Sequence, residues 1–241
     1  MISVCVAGAT GWAGSELARA IAHADDLALV AAVSRTHAGQ VLGDVLVEYT
    51  KPASAKANIL VALEQGAHVV VGTSGLTDDD IAEIDAAARK RQRGVLACGN
   101  FALTVVLLQK FAEAAARLIP QWEIIDYAHD DKVDAPSGTA RELASRLGKI
   151  RAPQPTIPLD RTVGPREARG ATLAGSQVHS IRLPGYVISA EVIFGMPDQK
   201  LSIRHDSGSS ARPYVDGALL AIRKVSTLVG LHRGLDSVLD L

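Results

Sequence analysis

Sulfur and aromatic rings are scarce in this chain: two cysteines and two methionines, with three Phe, two Trp and four Tyr among 241 residues. Two cysteines cannot build the disulfide framework of a small secreted scaffold. Cys5 and Cys98 each lie in an apolar, strand-like run, so they are expected as buried thiols in a reducing compartment. A formal net charge of −1 leaves no basic excess for nucleic acid or an anionic membrane surface. Nowhere does an apolar run reach the roughly 20 residues of a membrane span. The opening Met1-Ile2-Ser3-Val4-Cys5-Val6-Ala7 enters a strand pattern without a basic leader, so a cytoplasmic place is expected. The histidines show no H-E-x-x-H spacing, and no metal is expected. Ser137, His129 and Asp134 offer the residue types of a hydrolase triad, but no G-x-S-x-G elbow surrounds the serine, which excludes that reading. Long repeats and low-complexity segments are absent as well.

What remains is 48% hydrophobic and 21% charged, a globular balance in a chain long enough for one large domain or two modest ones. An apolar run over 2–7 ends in Gly8-Ala9-Thr10-Gly11-Trp12-Ala13-Gly14 and feeds a helical pattern over 15–24. Strand, glycine turn and helix in that order are the setting of a dinucleotide site, where the backbone approaches a pyrophosphate lying on the helix N-terminus. The spacing is G-x-x-G-x-x-G, so the context carries the reading more than the string does. A second strand over 27–33 ends in Ser34-Arg35. An acidic residue at this position suits the ribose 2′-hydroxyl of NADH, whereas an Arg suits a 2′-phosphate, and the reading is NADPH over NADH.

Only nine residues, 36–44, precede a third strand over 45–50. A parallel crossover usually takes at least ~10–12 residues, so a mobile loop near the adenosine end of the cofactor is expected here. There follow a helix over 54–65, a strand over 68–71 ending in Gly72-Thr73-Ser74-Gly75, a helix over 78–91, and a strand over 94–98 ending in Gly99-Asn100-Phe101. This alternation predicts an α/β fold with a doubly wound parallel sheet. Ligands of such sheets bind at the carboxyl ends of the strands, which brings Gly8–Ala13, Ser34, Arg35, Gly72, Thr73, Ser74, Cys98, Gly99, Asn100 and Phe101 to one crevice. After a helix over 103–118 the pattern changes at Pro120. A strand over 123–127, a helix over 140–149, a Pro- and Arg-rich loop over 151–170 and three strand-like runs over 178–183, 190–194 and 200–205 suggest an antiparallel or mixed sheet. The last helix, 215–228, has a strongly apolar face and is expected to pack back onto the core of the first domain.

The segment Lys132-Val133-Asp134-Ala135-Pro136-Ser137-Gly138-Thr139-Ala140 is the most informative stretch. Its turn opens a helix, and hydroxyls with free backbone N–H groups at a helix start make an anion site suited to a carboxylate. Ser137, Gly138 and Thr139 are therefore candidate substrate ligands. His129 and Lys132 stand just upstream to supply charge and protons: an imidazole has an ordinary pKa of about 6.5, and a lysine serves where burial lowers its own. Lys132 has a plainer alternative, a pairing with Asp130, Asp131 or Asp134.

These pieces together, with Ile203-Arg204-His205-Asp206-Ser207, resemble the bacterial dihydrodipicolinate reductase family over nearly the whole chain. The resemblance implies an NAD(P)H-dependent reductase of lysine and diaminopimelate biosynthesis acting on a cyclic imine dicarboxylate. It implies a Rossmann-type domain of residues 1–101 and 212–241, an α+β substrate-binding and oligomerisation domain of residues 102–211, and a homotetramer joined through the sheets of the substrate domains. It carries cofactor contacts to Gly8, Ala9, Thr10, Gly11, Trp12, Ala13, Gly72, Thr73, Ser74 and Cys98 to Phe101, a substrate contact to His129, and a proton-donor or charge-partner role to Lys132. Three departures stand out. The family has two adjacent histidines where this chain has Ala128-His129, acidic Asp130-Asp131 follow where the family is commonly basic, and Trp12 replaces a common basic residue. A paralogue reducing a different cyclic imine or carbonyl acid, or a non-catalytic cofactor-binding protein, is the alternative reading.

Overall fold

The computed structural model describes residues 1–33 and 43–239. The loop expected over 36–44, for the most part, and the pair Ser34-Arg35 lie outside the described residues. In chain order the first elements are β1 (Ile2–Ala7), α1 (Trp12–Ala22), β2 (Leu27–Val33), β3 (Val45–Glu48), α2 (Pro52–Glu64) and β4 (His68–Val71). Next come α3 (Asp78–Arg91), β5 (Gly94–Ala97), α4 (Leu103–Leu118), β6 (Trp122–Ala128), α5 (Gly138–Gly148) and β7 (Ala171–Leu173). Then follow β8 (Ser176–Arg182), β9 (Ile188–Met196), β10 (Gln199–Ser207), α6 (Val215–Lys224) and β11 (Gly230–Arg233). Two compact units result: residues 1–103 with 210–241, and residues 104–209.

The first unit holds a six-stranded parallel sheet in the order β11-β5-β4-β3-β1-β2. Its central strands are continuous apolar runs because helices cover both faces. Val4, Val6, Val47, Val69 and Val70 are all fully buried. On one face Ile59 and Leu63 of α2 and Ile84 and Ala88 of α3 pack over Leu46, Val69 and Val95. α6 packs against α1. A Cβ on its Gly217 would stand 1.9 Å from the Phe101 carbonyl oxygen, so the helix lies directly on the loop after β5. Arg223 of α6 also holds Asp26 through two hydrogen bonds of 2.7 and 2.8 Å.

The structure corrects several boundaries. α1 begins at Trp12 rather than 15, since the Gly11 carbonyl already accepts the Ser15 N–H. β3 stops at Glu48, where the glutamate side chain captures the Thr50 N–H. α6 ends at Lys224 and is followed by a short 3-10 turn, Val225–Thr227, packed against Gly94. The sequence reading missed β11. With one aliphatic side chain it shows no strand periodicity, and it is held by backbone pairing to β5 and by Asp85 accepting the Leu231 N–H at 2.7 Å.

The second unit is a five-stranded mixed sheet in the order β10-β9-β6-β8-β7. β6 runs parallel to β8 and antiparallel to β9. The sequence suggested three strands beside β6; the short, exposed β7 is a further one. Strand alternation sorts the faces. Trp122 and Ile124 of β6 face α4 and α5 and form the core with Leu108, Leu143, Leu147, Val178, Val192 and Phe194. Glu123, Ile125 and Tyr127 point to the opposite face, part of which lies under the 153–163 stretch of the Pro-rich segment. That segment contains two 3-10 turns, Leu159–Arg161 and Arg166–Arg169.

Candidate active site

In the first unit the carboxyl ends of β1, β3, β4 and β5 lie side by side, and β1, β4 and β5 lead into turns rich in small residues. β1 is where the strand order reverses, the place at which doubly wound sheets open a crevice. Gly8 sits there with φ +87°, and a Cβ on it would lie 2.3 Å from the Tyr49 carbonyl oxygen. Gly8 and Ala9 both donate their N–H groups to the Val33 carbonyl, which folds the turn over the end of β2. Thr10, Gly11 and Trp12 are exposed at the rim, and Ala13 is half-buried.

The start of α1 fits an anion. Its Gly11 N-cap offers no side chain, and no acidic residue occupies the first turn. α3 is the contrast: Thr77 and Asp80 form a reciprocal capping box, three aspartates fill the first turn, and the Asp80 carboxyl is pulled down to about 2 by the Thr77 N–H and hydroxyl. The unsatisfied N–H groups and positive dipole end of α1 are thus left for a ligand such as a pyrophosphate. Beside it, Ser74 and Gly99 are exposed and Gly72 and Thr73 half-buried. The Cys98 N–H donates to Val71, the Asn100 side chain accepts the Ala102 N–H at 2.8 Å, and buried Phe101 meets Tyr49 edge-on at 5.8 Å.

Glu48 is a residue that sequence reasoning missed. Fully buried at the end of β3, it accepts the Thr50 N–H and hydroxyl and the Asn58 amide, and it lies 3.4 Å from the Thr73 hydroxyl. It ties the Gly72-Thr73 turn to β3. An acid closing an otherwise apolar parallel strand was the available signal, since a buried carboxylate demands several donors.

In the second unit β6 leads into the informative loop. Ser137 is the buried N-cap of α5, and its hydroxyl accepts the Ala140 N–H at 3.3 Å. Gly138 is exposed and Thr139 half-buried at the first turn, which contains no acidic residue. Among the described residues, a Cβ on Gly138 would meet nothing nearer than Arg141 Nη2, at 4.0 Å, so this position is uncrowded. His129 stands half-exposed with Nδ1 2.8 Å from Asp130 and 3.0 Å from Asp131. The acidic pair thus faces the imidazole and leaves Nε2 as its other nitrogen. Lys132 Nζ lies 2.6 Å from Asp134, and this pairing holds the Asp134 carboxyl below its ordinary range. Ala128 is fully buried.

The loop is held from two sides by residues the sequence did not single out. Arg141 donates to the Pro136 carbonyl and lies 3.8 Å from Asp134. Underneath, Asp126 accepts the Ser137 N–H at 2.9 Å, and Arg182 donates both to Asp126 and to the Asp134 carbonyl at 2.7 Å. Only pairing across β6 and β8 brings Arg182 here, and sequence separation hides that. His205 is buried and bonded to Thr104 at 2.9 Å.

Family models agree with this geometry in both units. The model for "Dihydrodipicolinate reductase, N-terminus" matches residues 2–101, and that for "Dihydrodipicolinate reductase, C-terminus" matches residues 104–239. The chain belongs to the dihydrodipicolinate reductase family. A 4-hydroxy-tetrahydrodipicolinate reductase of Streptomyces griseus subsp. griseus is 42% identical over 250 residues, covering 100% of this chain and 98% of the relative. The namesake enzyme of Moorella thermoacetica is 38% identical over 265 residues, covering 99% and 98%. Among solved structures, a dipicolinate-bound dihydrodipicolinate reductase from Paenisporosarcina sp. TG-14 superposes with a TM-score of 0.91 at 29% identity, covering 99% of this chain and all of that one. Members of this reductase family are NAD(P)H-dependent oxidoreductases with an N-terminal nucleotide-binding domain.

Proposed function

We propose that this chain reduces dihydrodipicolinate to tetrahydrodipicolinate, a step of lysine and diaminopimelate biosynthesis in the cytoplasm, with NADPH preferred over NADH. Carrying the reading is the start of α5, where Ser137 is locked inward as a cap while Gly138 leaves open space before free N–H groups. One substrate carboxylate binds the Gly138 and Thr139 N–H groups and the Thr139 hydroxyl. The reduced nicotinamide, when bound, supplies a hydride to the ring. Lys132 keeps donors beyond the one facing Asp134 and delivers a proton to the neighbouring ring carbon, completing the addition of two hydrogens. His129, placed by Asp130 and Asp131 through Nδ1, turns Nε2 to the substrate. The uncapped α1 turn, with Gly8 to Ala13, Gly72 to Ser74 and Cys98 to Phe101, holds the cofactor, and Ser34 and Arg35 hold its 2′-phosphate.

The deciding test is NADPH oxidation with dihydrodipicolinate beside a panel of cyclic imines and keto acids. Turnover of dihydrodipicolinate is expected; turnover only of another imine or keto acid, or none at all, sinks the assignment. For the cofactor, Arg35→Asp is expected to weaken NADPH binding far more than NADH binding, and equal loss of both refutes the preference. The reading extends to a homotetramer joined through the open face of the mixed sheet. Support comes from half-buried Ile125 and Ile193 on that face, and from Ile157 and Val163, which the overlying segment leaves 65% and 99% exposed.

A further inference from the structure

We infer that Asp126 and Arg182 are positioning residues: their buried ion pair clamps both ends of the 134–137 turn and thereby sets where α5 presents its N–H groups to a substrate carboxylate. The inference rests on the proposed function and deepens it. Asp126 is fully buried and the Arg182 side chain is 15% exposed, so the pair is shielded from solvent. One guanidinium nitrogen, Nη2, reaches the Asp126 carboxylate and the Asp134 carbonyl, each at 2.7 Å. The same carboxylate oxygen accepts the Ser137 N–H at 2.9 Å, with the Ser180 hydroxyl at 3.4 Å. Arg182 is anchored in turn by its Nη1, which donates to the Ile181 carbonyl at 2.9 Å.

Entry and exit of the turn are therefore tied to one point on the β6–β8 pair, and Gly138 follows immediately. Geometry alone does not explain the choice of ions. A buried pair often contributes little net stability compared with apolar residues of similar volume. Here, however, the acceptor that holds Ser137 is an anion lying directly behind a site for an anionic ligand. Arg182 cancels that charge while bonding the turn, so the carboxylate can bind the Ser137 backbone without repelling the substrate.

The test is titration of dipicolinate and of NADPH into the wild-type protein, Arg182→Gln, Arg182→Lys and the double variant Asp126→Asn/Arg182→Gln, with KM and kcat for each. The double variant leaves no unpaired buried charge and so keeps the experiment open if Arg182→Gln does not fold. Arg182→Gln and the double variant are expected to bind dipicolinate about tenfold or more weakly, the scale of a lost charge-assisted bond, with KM raised and NADPH affinity unchanged. Arg182→Lys, which keeps the charge but not the fork, is expected to recover part of the loss. A merely structural pair would lower the active fraction and leave the dipicolinate Kd of the folded protein unmoved, and that result overturns the inference alone. Failure of the wild-type protein to bind dipicolinate overturns the functional reading together with it.

Discussion

A Cβ built on Gly14 would stand 2.2 Å from the Gly8 carbonyl oxygen, whereas one built on Gly138 faces open space. The two glycines look alike in the sequence, each at a turn that opens a helix. Gly14 is demanded by the protein itself, because α1 lies on the turn after β1. Gly138 is not: its backbone lies in an ordinary region for any residue, and no neighbour crowds it. Gly138→Ala is therefore expected to keep or raise stability, by about 0.4–1 kcal/mol through the unfolded chain, while raising KM for the dicarboxylate several-fold. Urea midpoints and steady-state kinetics measure the two effects separately. A variant that is both fully stable and kinetically unchanged removes Gly138 from the site. The reading of Ser137 needs the same care, since its hydroxyl caps α5 and its N–H is committed to Asp126. Its part is to build the turn, and the free N–H groups follow it.

At the level of elements, the contrast between α1 and α3 is a contrast of capping. α3 satisfies its own first turn with Thr77, Asp80 and the local acids, while α1 and α5 keep that turn free of carboxylates. A helix start whose first turn holds no carboxylate is receptive to an anion; one whose first turn is filled by its own carboxylates is not. β10 carries a second consequence of burial. His205 faces the helix side of the sheet, bonded to Thr104, and desolvation holds its pKa below the ordinary value, partly offset by Asp206. The unfolded chain then binds a proton at a higher pH than the folded one. Above about pH 6.5, where both states are neutral, His205 costs nothing, and as pH falls from there towards the folded value stability is lost. Comparing urea midpoints at pH 5.5 and 7.5, wild type is expected to lose more than His205→Asn does. Equal losses would show that this histidine does not take part in acid destabilisation.

For the molecule as a whole, the mixed sheet has one face closed by α4 and α5 and another that carries Glu123, Ile125, Gln177, His179 and Ile193 beneath the Pro-rich segment. Glu123 is held there by Arg169 and by His179 at 2.7 Å, which leaves Ile125 and Ile193 as the aliphatic residues of this face. If the proposed tetramer forms through this face, Ile193→Lys is expected to shift it to smaller species in light scattering, with the far-ultraviolet spectrum of the fold retained. An unchanged mass would place the subunit interface elsewhere.

Most of the parallel sheet was legible in the sequence because buried parallel strands must be unbroken apolar runs and because glycine turns mark their ends. The bounds of β1, β2, β4, α3 and α4 follow from the apolar pattern and the turns that interrupt it. So does the turn that opens α5, since Pro-Ser-Gly-Thr before a helical pattern is a helix start capped by its serine. The edge strand β11 was not legible: its hydrogen bonds come from β5, far away in the chain, and its own side chains carry no period. Nor were Glu48, Asp126 and Arg182. Glu48 finds Thr50 and Asn58 close by in the chain, but Asp126 is satisfied by Arg182, a partner that the pairing of β6 with β8 brings from far along the sequence. The sequence by itself determined the parallel sheet, its glycine turns and the turn that opens α5; tertiary structure alone decided what holds that turn still, because only long-range pairing brings an arginine on one strand under a turn that follows another.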